Sequence, residues 1–142
     1  MTRALDFKQR GHLNPVLTDP ATAALSAEKL LGTWLNTDPD TQGISELLVE
    51  QDGDHFTVSG FGAGPGERIP WPRTHARALA NLEEEAGQRA VALTATFEFG
   101  FMKAETHIRV NKGVLVIVLF YTFLDGSGRS NYVNREFFYR QL

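Results

Sequence analysis

The chain has 142 residues, a formal net charge of −3 and no cysteine. This length predicts one domain that can bury its own core. The absence of cysteine excludes disulfides, thiolate metal sites and cysteine nucleophiles. The sequence lacks a run of lysine and arginine that would indicate a nucleic-acid-binding surface. Residues 1–11 lack the apolar stretch of a secretory signal, and the longest apolar run, 114–121, is too short to span a bilayer. We therefore expect a cytoplasmic protein that contacts neither nucleic acid nor membrane.

The amino-terminal segment, residues 1–31, is predicted to form an arm and a short helix that precede the barrel domain. Residues 1–20 show no hydrophobic period and are expected to form an extended arm. Asp19 and Pro20 suit the N-cap and first turn of a short helix over residues 21–31, which Gly32 can end. This segment is a candidate lid for any pocket in the domain that follows.

Strands and turns alternate from Gly32 onward, which predicts an all-β domain over residues 32–142. Asp52-Gly53-Asp54 and Asn111-Lys112-Gly113 are hairpin signals. Pro70 and Pro72 place the start of the fourth strand at an edge or a bulge, and residues 81–87 are expected to form a polar connection. The predicted strands cover residues 32–36, 44–51, 55–62, 68–80, 88–99, 101–111, 114–123 and 131–140. A meander of eight antiparallel strands has two exposed edges unless it closes, so an up-and-down barrel is the predicted fold.

The segment Leu31-Gly32-Thr33-Trp34-Leu35-Asn36, placed before the meander, resembles the opening of calycin barrels. Lipocalins carry Gly-x-Trp there, and avidins carry Gly-Thr-Trp-x-Asn. The resemblance implies a ligand pocket inside the barrel and structural roles for Gly32 and Trp34, with the tryptophan closing one end. It also implies that a basic residue of the last strand, Arg135 or Arg140, packs over that tryptophan. The architecture is similar, too, to small bacterial β-barrel cyclases of natural-product pathways, some of which fold an amino-terminal segment over the pocket.

Candidate ligand contacts lie on the fourth, fifth, seventh and eighth strands. They are Trp71, Thr74, Phe97, Tyr121, Arg135 and Tyr139. Stiff prolines flank Trp71, a setting in which aromatic side chains often border pockets, although a packing role is equally open. On the eighth strand Val133, Phe137 and Tyr139 are predicted to face inward, with Arg135 on the same face. A charge among apolar neighbours needs a partner, so Arg135 either stacks on Trp34 or meets a ligand anion.

Two strands carry a charged row opposite a row of small or apolar residues. On the fourth strand, Thr74, Ala76 and Ala78 alternate with a basic row of Arg73, His75 and Arg77. On the sixth strand, Ala104, Thr106, Ile108 and Val110 alternate with Lys103, Glu105, His107 and Arg109. An inward basic row could hold a carboxylate, and Glu105 could orient His107 for acid–base chemistry. The favoured interpretation places both charged rows on the outer face.

The seventh strand, residues 114–123, is apolar on both faces. One face can point into the barrel, and the other must be covered either by the amino-terminal segment or by a second copy. The second alternative is a homodimer through this strand. The four histidines lack zinc-site spacing, and no nucleotide, calcium or serine-nucleophile motif is present, so no metal or cofactor is expected.

Three functions are compatible with this pattern. The first is binding of an apolar or partly polar small molecule inside the barrel. The second is a cofactor-free cyclase or isomerase that holds a flexible substrate in a reactive shape, because proximity alone can lower a barrier by about 7–11 kcal/mol. The third is a structural or interaction barrel with a filled interior and the seventh strand as its contact surface.

Overall fold

A computed structural model describes residues 27–80 and 90–142. These residues form an all-β, closed barrel in which eight antiparallel strands follow one another in chain order and β1 pairs with β8. The strands are β1 (Gly32–Asn36), β2 (Ile44–Asp52), β3 (His55–Gly62), β4 (Ile69–Ala80), β5 (Ala90–Glu98), β6 (Met102–Asn111), β7 (Val114–Phe123) and β8 (Tyr132–Arg140). The predicted fold, strand count and strand positions are confirmed.

Several predictions fall on other parts of the chain. The arm over residues 1–20, most of the helix over 21–31 and the polar connection over 81–87 lie outside the described residues. Residues 27–31 form a hydrogen-bonded turn in which the amides of Leu30 and Leu31 donate to the Ala27 carbonyl. Within the described ranges the structure contains no helix, and hence none long and apolar enough to cross a membrane.

Alternate residues of each strand point into the barrel and build its core. Small residues of β4, Ala76 and Ala78, pack against this core, while Arg73, His75 and Arg77 are exposed. On β6, Ala104, Thr106 and Ile108 are buried, and Glu105 and Arg109 lie outside. The predicted outward orientation of both charged rows is therefore confirmed. The largest fully buried side chains include Trp34, Phe97, Phe138, Leu47, Leu93, Ile108, Leu115 and Ile117.

Trp34 closes the end of the barrel where β1 begins and β8 ends. Its indole Nε1 donates to the Leu30 carbonyl at 3.0 Å, and its side chain is fully buried. The Arg140 guanidinium lies 4.8 Å from the ring centroid of Trp34 and donates to the Lys29 carbonyl at 2.7 Å. Gly32, with φ of 124°, provides the backbone conformation beside the Arg140 side chain. Of the two basic residues considered, Arg140 takes this position.

The predicted inward face of β8 is wrong. Val133, Phe137 and Tyr139 are exposed on the outer wall with Arg135, whereas Phe138 points inward and is fully buried. The register places Phe138 opposite Leu115 on β7. Since β7 is apolar on both faces, its hydrophobicity did not define which face of β8 is internal. Arg135 consequently cannot stack on Trp34, and its guanidinium lies 5.4 Å from the Phe137 ring centroid instead.

Candidate functional site

The barrel wall is incomplete at the end opposite Trp34. β1 ends at Asn36, and its ladder with β8 reaches only Phe138, followed by one further bond from the Thr37 amide to the Phe137 carbonyl. The first half of β8 therefore has a ladder partner on its β7 side only. Residues 37–43, between β1 and β2, lie across this gap.

Glu136 fastens this loop to β8. The side chain points inward and is only 7 % exposed. Its Oε1 accepts from Thr41 Oγ1 at 2.8 Å and from Asn36 Nδ2 at 3.1 Å, and its Oε2 accepts from the Ile44 amide at 3.2 Å. A buried carboxylate requires such donors, because burying it without partners costs several kcal/mol. The side chain thus bridges β8 and the first residue of β2, where no main-chain ladder joins them.

Asn36 and Gly43 make this arrangement specific. Asn36 Oδ1 accepts from the Asp38 amide at 2.8 Å, which fixes the amide so that Nδ2 faces Glu136 and the Ile44 carbonyl. A Cβ on Gly43 would lie 2.5 Å from Glu136 Oε1, closer than ordinary contacts allow. Glycine at position 43 therefore leaves the space that the carboxylate occupies.

A bulge in β4 places Trp71 on the inner side of the same end. Val58 pairs with Thr74 and Gly60 with Trp71, so Ser59 of β3 is opposed by two β4 residues, Pro72 and Arg73. If side chains alternated regularly from Thr74, the Trp71 side chain would point outward. The extra residue in the bulge turns it inward. Of the two alternatives predicted for the start of this strand, an edge or a bulge, the structure shows the bulge. The Trp71 ring packs edge-on against Phe97 and Phe99, at centroid distances of 5.0 and 4.9 Å.

Tyr121 and Tyr132 form an aromatic pair on the β7–β8 side. Their rings are stacked, with centroids 4.4 Å apart and planes 18° apart. Burial raises the pKa of the Tyr121 phenol well above its usual value, with smaller contributions from Tyr132 and the Glu136 carboxylate. A tyrosine phenol is protonated at neutral pH even at its usual pKa, so Tyr121 can donate a hydrogen bond, and the raised pKa extends this state into the alkaline range.

These groups line an open-end cavity of about 670 Å³. Its lining includes the loop residues 37, 38 and 40–43, together with Gly62, Ala63, Ile69, Trp71, Met102, Tyr121, Tyr132, Asn134, Arg135, Glu136 and Phe137. Beneath it lie the buried core residues Phe97 and Ala104. This volume lies within the ~300–1,000 Å³ typical of small-molecule sites.

The predicted ligand contacts separate into three groups. Trp71, Tyr121 and Arg135 line the cavity, the last from the outer wall. Phe97 is fully buried beneath Trp71. Thr74 donates to the Thr96 carbonyl at 3.1 Å and borders a groove of β4, β5 and β6 rather than the cavity, and Tyr139 is exposed outside. A role for these residues in ligand binding stays a prediction.

Sequence reasoning missed Glu136, Asn134 and Tyr132, which all point toward the cavity from β8. The available signal was that they share one face of β8 with the apolar Phe138, which the β7–β8 register pairs with the buried Leu115. Within residues 27–80 and 90–142, no group of three or more His, Asp or Glu side chains is arranged to hold a metal ion.

No protein-family model, no curated protein and no solved structure matches the chain.

Proposed function

We propose that the protein binds a small molecule, apolar or partly polar, in the open-end cavity. The observation that carries this proposal is a cavity of about 670 Å³ whose wall combines aromatic rings with a buried carboxylate. Few but oriented polar groups among apolar surfaces are typical of ligand sites. The closed end with Trp34 and Arg140 agrees with the calycin-type barrel that the sequence resembles, and internal ligand binding is what that resemblance implies.

Tryptophan fluorescence can test the location of binding, because the chain has only two tryptophans at opposite ends of the barrel. A small-molecule library would be screened by thermal shift, and each hit titrated against the wild type and Trp71→Phe. We expect hits to change the emission of the wild type. The Trp71→Phe protein, which retains only Trp34, should show little change.

A blocking substitution provides the matched control. Asn134→Phe places a ring in the cavity, whereas Val133→Phe places the same ring on the outer wall of the same strand. We expect the first to abolish binding and the second to preserve it. Equal binding by both variants, or a library without hits, would contradict the proposal.

A cofactor-free cyclase or isomerase is the second candidate, and one observation favours it. A phenol, which is protonated at neutral pH, and a buried carboxylate line the same cavity, in Tyr121 and Glu136. A proton-transfer isomerisation requires at least one protein group that donates a proton to the substrate and one that accepts a proton from it. Each hit would be incubated with the protein and followed by chromatography and mass spectrometry. A product of unchanged mass and different retention supports turnover, while recovery of the unchanged compound supports binding alone.

The outer face of β7 and β8 is proposed to pack against a second copy. Three of its four cross-strand pairs join apolar or aromatic residues, namely Val114 with Tyr139, Val116 with Phe137, and Phe120 with Val133. The fourth pairs Val118 with Arg135. Phe120 and Val133 are 51 % and 61 % exposed, which is unusual for adjacent apolar residues on one surface. Sedimentation should show a dimer that Phe120→Ser weakens and Thr57→Ser does not. A monomer at all concentrations would contradict it and leave the amino-terminal segment as the predicted cover.

A further inference from the structure

The charged side chains around the open-end cavity are predominantly acidic. Asp38, Asp40 and Glu136 contribute three carboxylates, and Arg135 contributes one guanidinium. The Arg135 guanidinium lies over the outer ring of Phe137. The charge that points into the barrel from β8 is therefore the negative charge of Glu136.

Glu136 retains capacity to accept a further hydrogen bond. Its two oxygens accept from Asn36 Nδ2 and the Ile44 amide, groups that can only donate, which is the role of an ionised carboxylate. A carboxylate offers about four acceptor positions, and three are used here, two on Oε1 and one on Oε2. Among the described residues Glu136 forms no salt bridge. A buried negative charge held by neutral donors alone attracts a cation more strongly than one already paired.

Aromatic rings line the same cavity as this carboxylate. Trp71 borders the cavity from β4, and the Tyr121–Tyr132 stack borders it from the β7–β8 side. The faces of such rings carry negative electrostatic potential and attract organic cations. A carboxylate and aromatic rings in one cavity therefore favour the same ligand charge.

We infer that the ligand of the open-end cavity is an organic cation, with an ammonium group directed at Glu136 and an apolar body against the aromatic rings. This inference rests on the proposed binding function. It excludes anionic ligands as the preferred class, which the sequence had left open through Arg135.

Matched probes can separate the class of ligand from the existence of binding. Phenyl, cyclohexyl, naphthyl and hexyl bodies would each be tested as the primary amine, the uncharged alcohol and the carboxylate, by calorimetry with the full chain. We expect each amine that binds to have an affinity at least about tenfold higher than its alcohol, as a charge-assisted hydrogen bond would give. The carboxylates should bind most weakly.

Two variants test the groups named. Glu136→Gln should reduce amine affinity about tenfold or more and leave alcohol affinity nearly unchanged, while Glu105→Gln, an exposed glutamate on β6, changes neither. Because Glu136 also holds the loop, Tyr132→Leu gives an independent test on a half-exposed residue. It removes a ring but keeps an apolar side chain, and should weaken amine binding about two- to fivefold.

Each outcome has a distinct meaning. Alcohols or carboxylates that bind as tightly as the amines would overturn the inference while supporting the binding function. Amine affinity that is unaffected by both Glu136→Gln and Tyr132→Leu would also overturn it. Failure of every probe in the set to bind would contradict the inference and the proposed function together.

Discussion

Replacing Gly43 with alanine tests whether the Glu136 carboxylate must occupy its position against the 37–43 loop. The φ angle of Gly43 is not positive, so alanine fits the backbone without strain. Ordinarily such a change stabilises a protein by about 0.4–1 kcal/mol, because it reduces the conformational entropy of the unfolded chain. Here the new Cβ would lie 2.5 Å from Glu136 Oε1 and 2.6 Å from Oε2.

The structure indicates a net loss of stability instead. The carboxylate must move away from the Cβ, and its shift breaks at least one hydrogen bond from Asn36, Thr41 or Ile44. A hydrogen bond to a charged group contributes about 1.5–3 kcal/mol. After subtracting the usual gain from alanine, we expect the free energy of unfolding to fall by about 0.5–2.6 kcal/mol.

Urea unfolding followed by circular dichroism would measure this change, and a double-mutant cycle would assign its cause. In a Glu136→Ala background the Cβ meets no carboxylate, so Gly43→Ala should regain its ordinary stabilising effect. The sign of the effect should therefore reverse between the two backgrounds. A Gly43→Ala protein as stable as the wild type, or an equal loss in both backgrounds, would refute the role assigned to Glu136.

Three further predictions concern other parts of the barrel. Arg140→Leu should lower the free energy of unfolding by about 1–3 kcal/mol, since Arg140 covers Trp34 and donates to main-chain carbonyls, whereas Arg135→Leu should be nearly neutral in thermal melts. Because the pKa of Tyr121 is higher in the folded than in the unfolded chain, the unfolded chain loses the phenol proton at lower pH. The free energy of unfolding should therefore fall as pH rises above about 10, and it should fall less steeply in Tyr121→Phe. Burial and the Arg109 charge lower the pKa of His107 below 6.5, so the unfolded chain binds this proton first. The free energy of unfolding should therefore fall as pH drops below 6.5. Urea titrations at several pH values should show a smaller pH dependence in His107→Gln than in the wild type.

The fold was predictable because local signals agreed at each step. Hairpin turns such as Asp52-Gly53 and Asn111-Lys112-Gly113 separate segments of clear alternation, and Lys112 and Gly113 indeed adopt positive φ. Charged residues on β4 and β6 alternate with small or apolar ones, so the pattern favoured the orientation that the structure shows, with the charged rows outside. The predicted function, by contrast, depended on side chains whose orientation no local signal determined.

The face of β8 shows why the candidate site was only partly predictable. The more apolar row of β8 lies outside, and the row that contains Glu136 and Asn134 lies inside. Hydrophobicity identifies the inner face of a strand only when its outer row is polar, and the outer rows of β7 and β8 are both largely apolar. The orientation of Trp71 depends on which residues of β4 form the bulge. The two prolines indicate that a bulge is present, but they do not define the residues at which it occurs.

The position of the cavity follows from unequal strand lengths. β1 has five residues and β8 nine, so a barrel that closes through their pairing must leave part of β8 without a main-chain partner. An exposed strand edge tends to pair with other chains, and proteins protect such edges with loops or charged side chains. Here Thr41 of the 37–43 loop and the Ile44 amide both donate hydrogen bonds to the Glu136 carboxylate, which joins the loop and β2 to this part of β8. The same solution that closes the barrel therefore buries a negative charge beside an opening, and a buried charge at an opening is a site that a ligand can use.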